Sequence, residues 1–278
     1  MKVICDAPGQ TCNRLWSYVA TISECIVKKK RMMILFYDYT IEDFPNLKNC
    51  PFIYFPLYNK RWLEKGNNWN RFKGLTWKAT HSTYLDRLYS LFGFLKGWHT
   101  RNQTEYIYSA KSELKKIYTP REAIVNVARS LLSKMKEKHN RIIGVHIRRG
   151  DYIEWNDGRF YYTWEQYKNF MECLKNLYSN EKIAFFISSN EKISKQNFEG
   201  CDCYFFENIE SPVITDLYML SICDQIIGPP STFSRWASFY GEVPLCFLYE
   251  ENQQITENEF SVIIDYFHFQ DGTKISDW

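Results

Sequence analysis

The sequence predicts an α/β protein built on doubly wound parallel sheets. Three observations predict it. Residues 3–36 read as strand, helix, strand; short apolar runs alternate with amphipathic stretches from Arg141 to Leu248; and helix-start signals precede several of those stretches. A strand–helix–strand unit implies parallel neighbours, and sustained alternation of this kind implies a doubly wound sheet with ligands at the C-terminal ends of its strands.

The elements follow in chain order. Val3–Cys5 is a short apolar run inside the strand-like stretch 2–7. After a Pro8-Gly9 break, a helix is expected from about Asn13 to Lys29. Leu15, Val19, Ile22 and Ile26, flanked by Trp16, Ala20, Ser23 and Val27, recur at helical spacing. Met32–Phe36 reads as a buried strand. Residues 45–115 mix Pro, Asn, Lys and aromatics, Trp62, Trp69, Trp77 and Trp98 among them, with poor periodicity. Short helices and ligand-specificity loops are expected there. Thr119-Pro120-Arg121-Glu122 is a helix start: a hydroxyl cap, Pro in the first turn and Glu three residues on. Ile124, Val127, Leu131 and Met135 give that helix one apolar face. The polar run Lys136–Asn140 is the expected junction between domains 1–138 and 139–278.

The second half is cleaner. Strands are expected at Arg141–Ile147, Ile183–Ser188, Cys203–Phe206, Gln225–Gly228 and Pro244–Leu248. Helices are expected from Thr163, with Gln166 completing a capping box, to Tyr178, from Ser211-Pro212 to Cys223, and from Ser231 to Tyr240.

Composition narrows the function classes. The chain has 278 residues, 45% hydrophobic and 24% charged, so a sizeable core is available. Aromatics reach 18%; they fill cores, and Tyr and Trp also offer sugars a flat apolar face with a polar tip. A net charge of +3 is too small to argue for nucleic acid, where a concentrated basic patch is expected. The densest basic run, Lys28–Arg31, closes the first helix, where cations complement the dipole; contact with an anionic membrane is the alternative. Nine scattered cysteines do not form a disulfide framework, and the one close pair, Cys201 and Cys203, lacks the partners of a zinc site. No apolar stretch approaches the roughly 20 residues that span a bilayer. With no signal-peptide pattern at the start, a reducing cytoplasm is the expected compartment.

Three features carry chemistry. His146-Ile147-Arg148-Arg149-Gly150-Asp151-Tyr152 leaves a strand with two consecutive arginines. Alternate strand residues face one side, so His146 and Arg148 point together and Arg149 points away. A guanidinium at that strand end can hold two phosphate oxygens; the alternative is an Arg148–Asp151 ion pair closing the turn. Gly228-Pro229-Pro230-Ser231-Thr232-Phe233-Ser234 ends a strand and opens a helix. Free backbone N–H groups there, with hydroxyls at Ser231, Thr232 and Ser234, suit a phosphate, although an ordinary cap has the same residues. Asp216, one turn into a helix, is either a dipole partner or an acceptor for the N1–H and exocyclic amine of guanine. Neither Asp-x-Asp, Gly-x-Gly-x-x-Gly nor a P-loop occurs.

These residues resemble a known family. GVHIRRGDY at Gly144–Tyr152 is similar to the signature of the α-1,2-fucosyltransferases of glycosyltransferase family eleven, and to the first motif shared with α-1,6- and protein O-fucosyltransferases. Asp216–Cys223, Ser231-Thr232-Phe233-Ser234 and Trp236-Ala237 resemble the later block. Asn13-Arg14-Leu15-Trp16 after Gly9 resembles the opening glycine-rich turn. The chain departs from the family pattern at Cys12, at Ser188-Ser189-Asn190 in place of Ser-Asp-Asp, at Pro229-Pro230 and at Arg235.

The resemblance implies a GT-B fold, two Rossmann-like domains facing a central cleft, with acceptor-side residues in the N-terminal domain and GDP-fucose in the C-terminal one. It implies Arg148 on the β-phosphate and His146 and Asp216 near the guanosine. Ser231, Thr232, Phe233, Ser234 and Asn13 would complete the donor site. The expected reaction is inverting fucosyl transfer, α-1,2 to a galactoside, with no metal and no cofactor beyond the co-substrate. Asp151, Glu154 and Asp157 follow the strand end as candidate bases, Glu154 ahead of Asp151, which reads rather as the turn's holding partner. The rival classes are an enzyme with another linkage or donor sugar, and a non-catalytic nucleotide- or carbohydrate-binding protein.

Overall fold

A computed structural model describes residues 1–6, 8–35, 37, 39–56, 91 and 93–275. The chain forms two compact units, Met1–Arg121 and Glu122–Trp278.

In the first unit the described strands are β1 (Lys2–Ile4), β2 (Met32–Ile34), β3 (Ile53–Tyr54) and β4 (Phe94–Leu95), parallel in the order β3-β2-β1-β4. β1 connects to β2 through the helix Thr11–Val27, as the helical spacing predicts. Its middle is buried on every side, from Leu15 through Ser23, because the short helix Gly97–Thr100 and the helix Ile107–Ile117 both pack against it. Val27, expected on the same apolar face, is exposed. Lys28 pairs with Glu24 at 3.0 Å and lies over the Tyr106 ring. Trp98 is half-buried with the Arg101 guanidinium 4.1 Å from its ring. Trp62, Trp69 and Trp77, and the ends of the expected runs at Ala7 and Phe36, lie outside the described residues.

The junction differs from expectation. The helix Glu122–Lys136 belongs to the second unit, because its buried positions Ile124, Ala128 and Met135 pack on the helix Pro212–Leu220. Arg121 instead closes the first unit, its Nε on Asp43 Oδ1 at 3.0 Å and its N–H on the Asp43 carbonyl at 2.8 Å. The units therefore divide before the helix rather than after it. The start signal at Thr119 also works differently: its hydroxyl donates to the Lys115 carbonyl at 2.7 Å and so closes the preceding helix. Val127 faces solvent, and Ala128 takes the inward position.

The second unit carries β5 (Arg141–Ile147), β6 (Ile183–Ser189), β7 (Cys203–Tyr204), β8 (Gln225–Gly228) and β9 (Leu245–Phe247), all parallel in the order β7-β6-β5-β8-β9. One face of β5 presents Ile143, Val145 and Ile147 to a core shared with Tyr167, Phe170, Met171 and Leu174 of the helix Trp164–Leu177. That helix starts at the expected capping box of Thr163 and Gln166. The other face presents Gly144, where an added Cβ would lie 2.6 Å from Leu220 of the helix Pro212–Leu220. Strands buried on both faces read as continuous apolar runs, and these do. All nine cysteines are free thiols. Among the described residues no helix is long and apolar enough to cross a membrane.

Candidate active site

The site grows from one rung across the second sheet. Ser188 of β6 pairs with His146 of β5, and Gly228 of β8 follows Ile227, which pairs with Val145. An added Cβ at Gly228 would meet the His146 carbonyl oxygen at 2.7 Å, so only glycine lets β8 pass this close. The imidazole of His146 is 4% exposed and stacks on Phe233, with centroids 5.0 Å apart and planes 29° from parallel. Its Nδ1 is buried with no hydrogen-bond partner. Burial, and then the nearby Arg148 guanidinium, push its pKa down to about 3, so the ring is neutral at physiological pH.

Asp216 reaches the same rung from the helix Pro212–Leu220 and accepts a hydrogen bond from Ser188. It is half-buried, and burial outweighs that bond, pushing its pKa up to about 7. A neutral ring with an orphan nitrogen, an aromatic plane and an under-solvated carboxylate thus converge on one spot.

Past the rung, Arg148 and the helix Thr232–Gly241 share one end of the sheet. Tyr152 joins them: its hydroxyl donates to the Pro230 carbonyl at 2.6 Å, and the Arg148 guanidinium carbon lies 5.7 Å from its ring centre. Arg148 Nη2 donates to Asp151 Oδ2 at 2.6 Å, and the Arg148 N–H donates to the Tyr167 hydroxyl at 3.3 Å. The ion pair weighed from sequence is therefore present, on an exposed Asp151. Ser231 caps the helix by accepting from the Phe233 N–H at 3.1 Å. Ser234 is fully buried, and its hydroxyl donates to the Ser231 carbonyl at 3.4 Å. Of the hydroxyls expected to face a ligand, those of Ser231 and Ser234 thus serve the helix, one as its cap and the other turned inward. Thr232 is the half-buried first helical residue, and the amides of the first turn point out along the axis.

Arg149 points to the opposite face, as strand alternation predicts. Its guanidinium meets Glu191 at 2.9 Å, the Tyr162 carbonyl at 2.8 Å and the Tyr161 hydroxyl at 2.5 Å, 4.8 Å from the Trp164 ring centre. It is a structural wedge. Glu154 and Asp157 are exposed on the segment after Asp151. Asn156, Asp157 and Gly158 form a left-handed turn, with φ of 50°, 54° and 74°. Asn13 lies in the other unit, in the first turn of the helix Thr11–Val27. Gly9 there has φ +48°, and a Cβ on it would come 2.1 Å from Asn13 Nδ2. The side chain thus folds back over the turn, which explains the glycine. Sequence reasoning passed over Ser188 and the bridging Tyr152. Ser188 was legible only through strand register, and Tyr152 carries no signal distinguishing it from a core tyrosine.

The sequence profile of glycosyl transferase family 11 matches residues 68–258. The chain belongs to glycosyl transferase family 11. This family 11 glycosyltransferase has the fold of GT-B fucosyltransferases. It is similar to fucosyltransferase NodZ from Bradyrhizobium at 16% identity, covering 88% of this chain and 94% of that one, with a TM-score of 0.58. It resembles Arabidopsis thaliana FUT1 in complex with GDP at 12% identity, covering 99% and 79%, with a TM-score of 0.59. A further similar structure is POFUT1 in complex with GDP, at 11% identity, 86% and 93% coverage and a TM-score of 0.52. A search of curated proteins gives no match.

Proposed function

We propose that this family 11 glycosyltransferase transfers fucose from GDP-fucose to a glycan hydroxyl, with inversion and without a metal ion. The observation that carries the reading is the joining of Arg148 to the Ser231 helix start through Tyr152, one rung beyond the His146, Phe233 and Asp216 cluster. That spacing suits a nucleotide: a flat base between aromatic and carboxylate, then a diphosphate between guanidinium and amides. Similar proteins are solved with these ligands, NodZ α-1,6-fucosyltransferase with GDP-fucose and POFUT1 with GDP.

The chemistry follows from charge. An acceptor oxygen attacks the anomeric carbon as the bond to the β-phosphate oxygen breaks, and the electron pair leaves with GDP. Arg148 and the first-turn amides lie where that charge gathers, and preorganised donors of this kind are usually the largest catalytic contribution. His146, neutral, accepts or donates within the base pocket rather than adding charge. The acceptor proton passes to Glu154 or to water. Metal independence is supported by a fixed cation in the cradle and by the lack of an Asp-x-Asp sequence. The α-1,2 linkage to a galactoside follows the family resemblance, and nine free thiols suit a reducing cytoplasm.

The test is incubation with GDP-fucose and an acceptor array, with and without EDTA, reading GDP release and product linkage by NMR. Fucosylated product in both arms is expected. No turnover with any GDP-sugar would leave only a binding protein, loss of turnover in chelator would overturn metal independence, and an α-1,6 product would overturn the linkage.

A further inference from the structure

The two residues that leave β6, Asn190 and Glu191, lie outside the donor cradle, yet the loop after Arg148 is fastened to them. Asn190 Oδ1 accepts the Arg149 N–H at 2.8 Å, while its Nδ2 donates to the Arg149 carbonyl at 3.0 Å and reaches Asp151 Oδ1 at 3.4 Å. Glu191 Oε1 accepts the Gly150 N–H at 3.0 Å, and its Oε2 accepts from Arg149 Nε at 2.9 Å. Gly150 has φ +58°, and an added Cβ would lie 3.2 Å from Asn190 Nδ2. The chain therefore crosses the amide closely, in a conformation that favours glycine.

A side-chain amide that holds both the N–H and the C=O of one residue fixes its rotation from two points. Here that residue is the one after Arg148. The third contact, Asp151, is the carboxylate that grips Arg148 Nη2. Position 148 is thus steered from its backbone and from its guanidinium by the same amide.

We propose that Asn190, supported by Glu191, is the positioning residue that aims Arg148 at the leaving diphosphate; this rests on the donor-site reading above. In this chain the amide supplies two donor contacts that the carboxylate of the family pattern lacks. An aspartate there would still accept the Arg149 N–H, but it could donate neither to the Arg149 carbonyl nor to Asp151. It would also set a second carboxylate beside Asp151 and compete for Arg148. The departure from Ser-Asp-Asp to Ser188-Ser189-Asn190 is then a functional feature of this chain.

A double-mutant cycle tests it. Arg148→Ala, Asn190→Ala and the double variant are compared by GDP affinity in calorimetry and by kcat and KM for fucosyl transfer. Asn190→Ala is expected to lower kcat about 10- to 100-fold, the cost of a small misplacement, and to weaken GDP in the same direction as Arg148→Ala. Combined with Arg148→Ala, it should add nothing further. Should Asn190→Ala not fold, the same cycle with Asn190→Asp decides. A penalty that persists in full in the Arg148→Ala background overturns the proposal, because a purely structural residue would behave so. Wild-type kinetics in the folded single variant overturn it as well. The two readings fail differently. GDP binding that falls with Arg148→Ala but not with Asn190→Ala sinks the positioning role alone, whereas a native protein that binds no GDP sinks the donor site and this role with it.

Discussion

Replacing Asp216 by asparagine separates what the carboxylate costs the fold from what it gives a ligand. Burial, partly offset by the Ser188 hydroxyl, raises its pKa from 3.8 to about 7. The folded chain therefore holds this proton more tightly than the unfolded chain does. As pH rises from about 4 to about 7, the folded state loses stability, and above about 7 the loss is complete. Each pKa unit corresponds to about 1.4 kcal/mol, so at pH 8 the ionised carboxylate costs the free protein up to about 4 kcal/mol. An asparagine does not ionise. Asp216→Asn is thus expected to be more stable than the native chain at pH 8, with the two converging toward pH 4.

The same substitution should damage nucleotide binding. A carboxylate accepts from both N1–H and the exocyclic amine of guanine, and each such bond to a charged group contributes about 1.5–3 kcal/mol. Asparagine offers one acceptor and turns a donor toward a donor. GDP affinity should fall about 10- to 100-fold or more on that arithmetic. Inosine diphosphate, which lacks the amine, should bind the native protein more weakly than GDP and lose that handicap in the variant. Urea denaturation at pH 5 and pH 8, with calorimetry of both nucleotides, gives all four numbers. A variant with no added stability at pH 8 refutes the buried-carboxylate argument, and unchanged discrimination between the two nucleotides refutes the base-reading role.

Three other outcomes follow from the same geometry. Arg148→Lys keeps the charge but loses the planar fork, so turnover should drop about 10²- to 10³-fold; near-native kcat would show that a point charge suffices. Gly228→Ala places a Cβ 2.7 Å from the His146 carbonyl, so thermal melting should show a loss of about 1–3 kcal/mol together with weaker GDP binding, and a native melting temperature would mean that β8 can move aside. Glu154→Gln should lower kcat measured at saturating donor about 10²- to 10⁴-fold, the usual contribution of a positioned base; near-native kcat would assign proton acceptance to water or another group.

The legible parts of this chain are those where one local rule acts without competition. β5 and β8 run over the predicted residues because both are buried on two faces, and only strand-length apolar runs satisfy that burial. The opposite fates of Arg148 and Arg149 follow from pleat alone. The failures arise where a tertiary partner decided. Thr119 carries the pattern of a helix cap, but the nearer Lys115 carbonyl claims its hydroxyl. The helix Glu122–Lys136 looks like the end of the first domain, yet its apolar face complements the helix Pro212–Leu220, and packing rather than the polar run Lys136–Asn140 sets the boundary. Ser234 has the right chemistry at the right end of a helix and points inward, because its place in the turn leaves no other direction.

The cluster around His146 was legible only in part for a different reason: its members come from five separate segments and meet only through register. His146 and Ser188 are partners because β5 and β6 are parallel and in step, Gly228 joins because β8 keeps the same step, and Asp216 and Phe233 descend from the two helices flanking β8. A shift of β6 by one residue would place Ile187 or Ser189 opposite His146 and turn Ser188 away from Asp216. The carboxylate would then be more costly to bury and the imidazole would face a different neighbour. The hydrophobic face that locks β5 and β6 in register, built from Val145, Ile147, Phe185 and Ile187, thus determines where Asp216 finds its hydroxyl. In this sense the core specifies the pocket, and mutations in that face should alter nucleotide affinity before any pocket residue is touched.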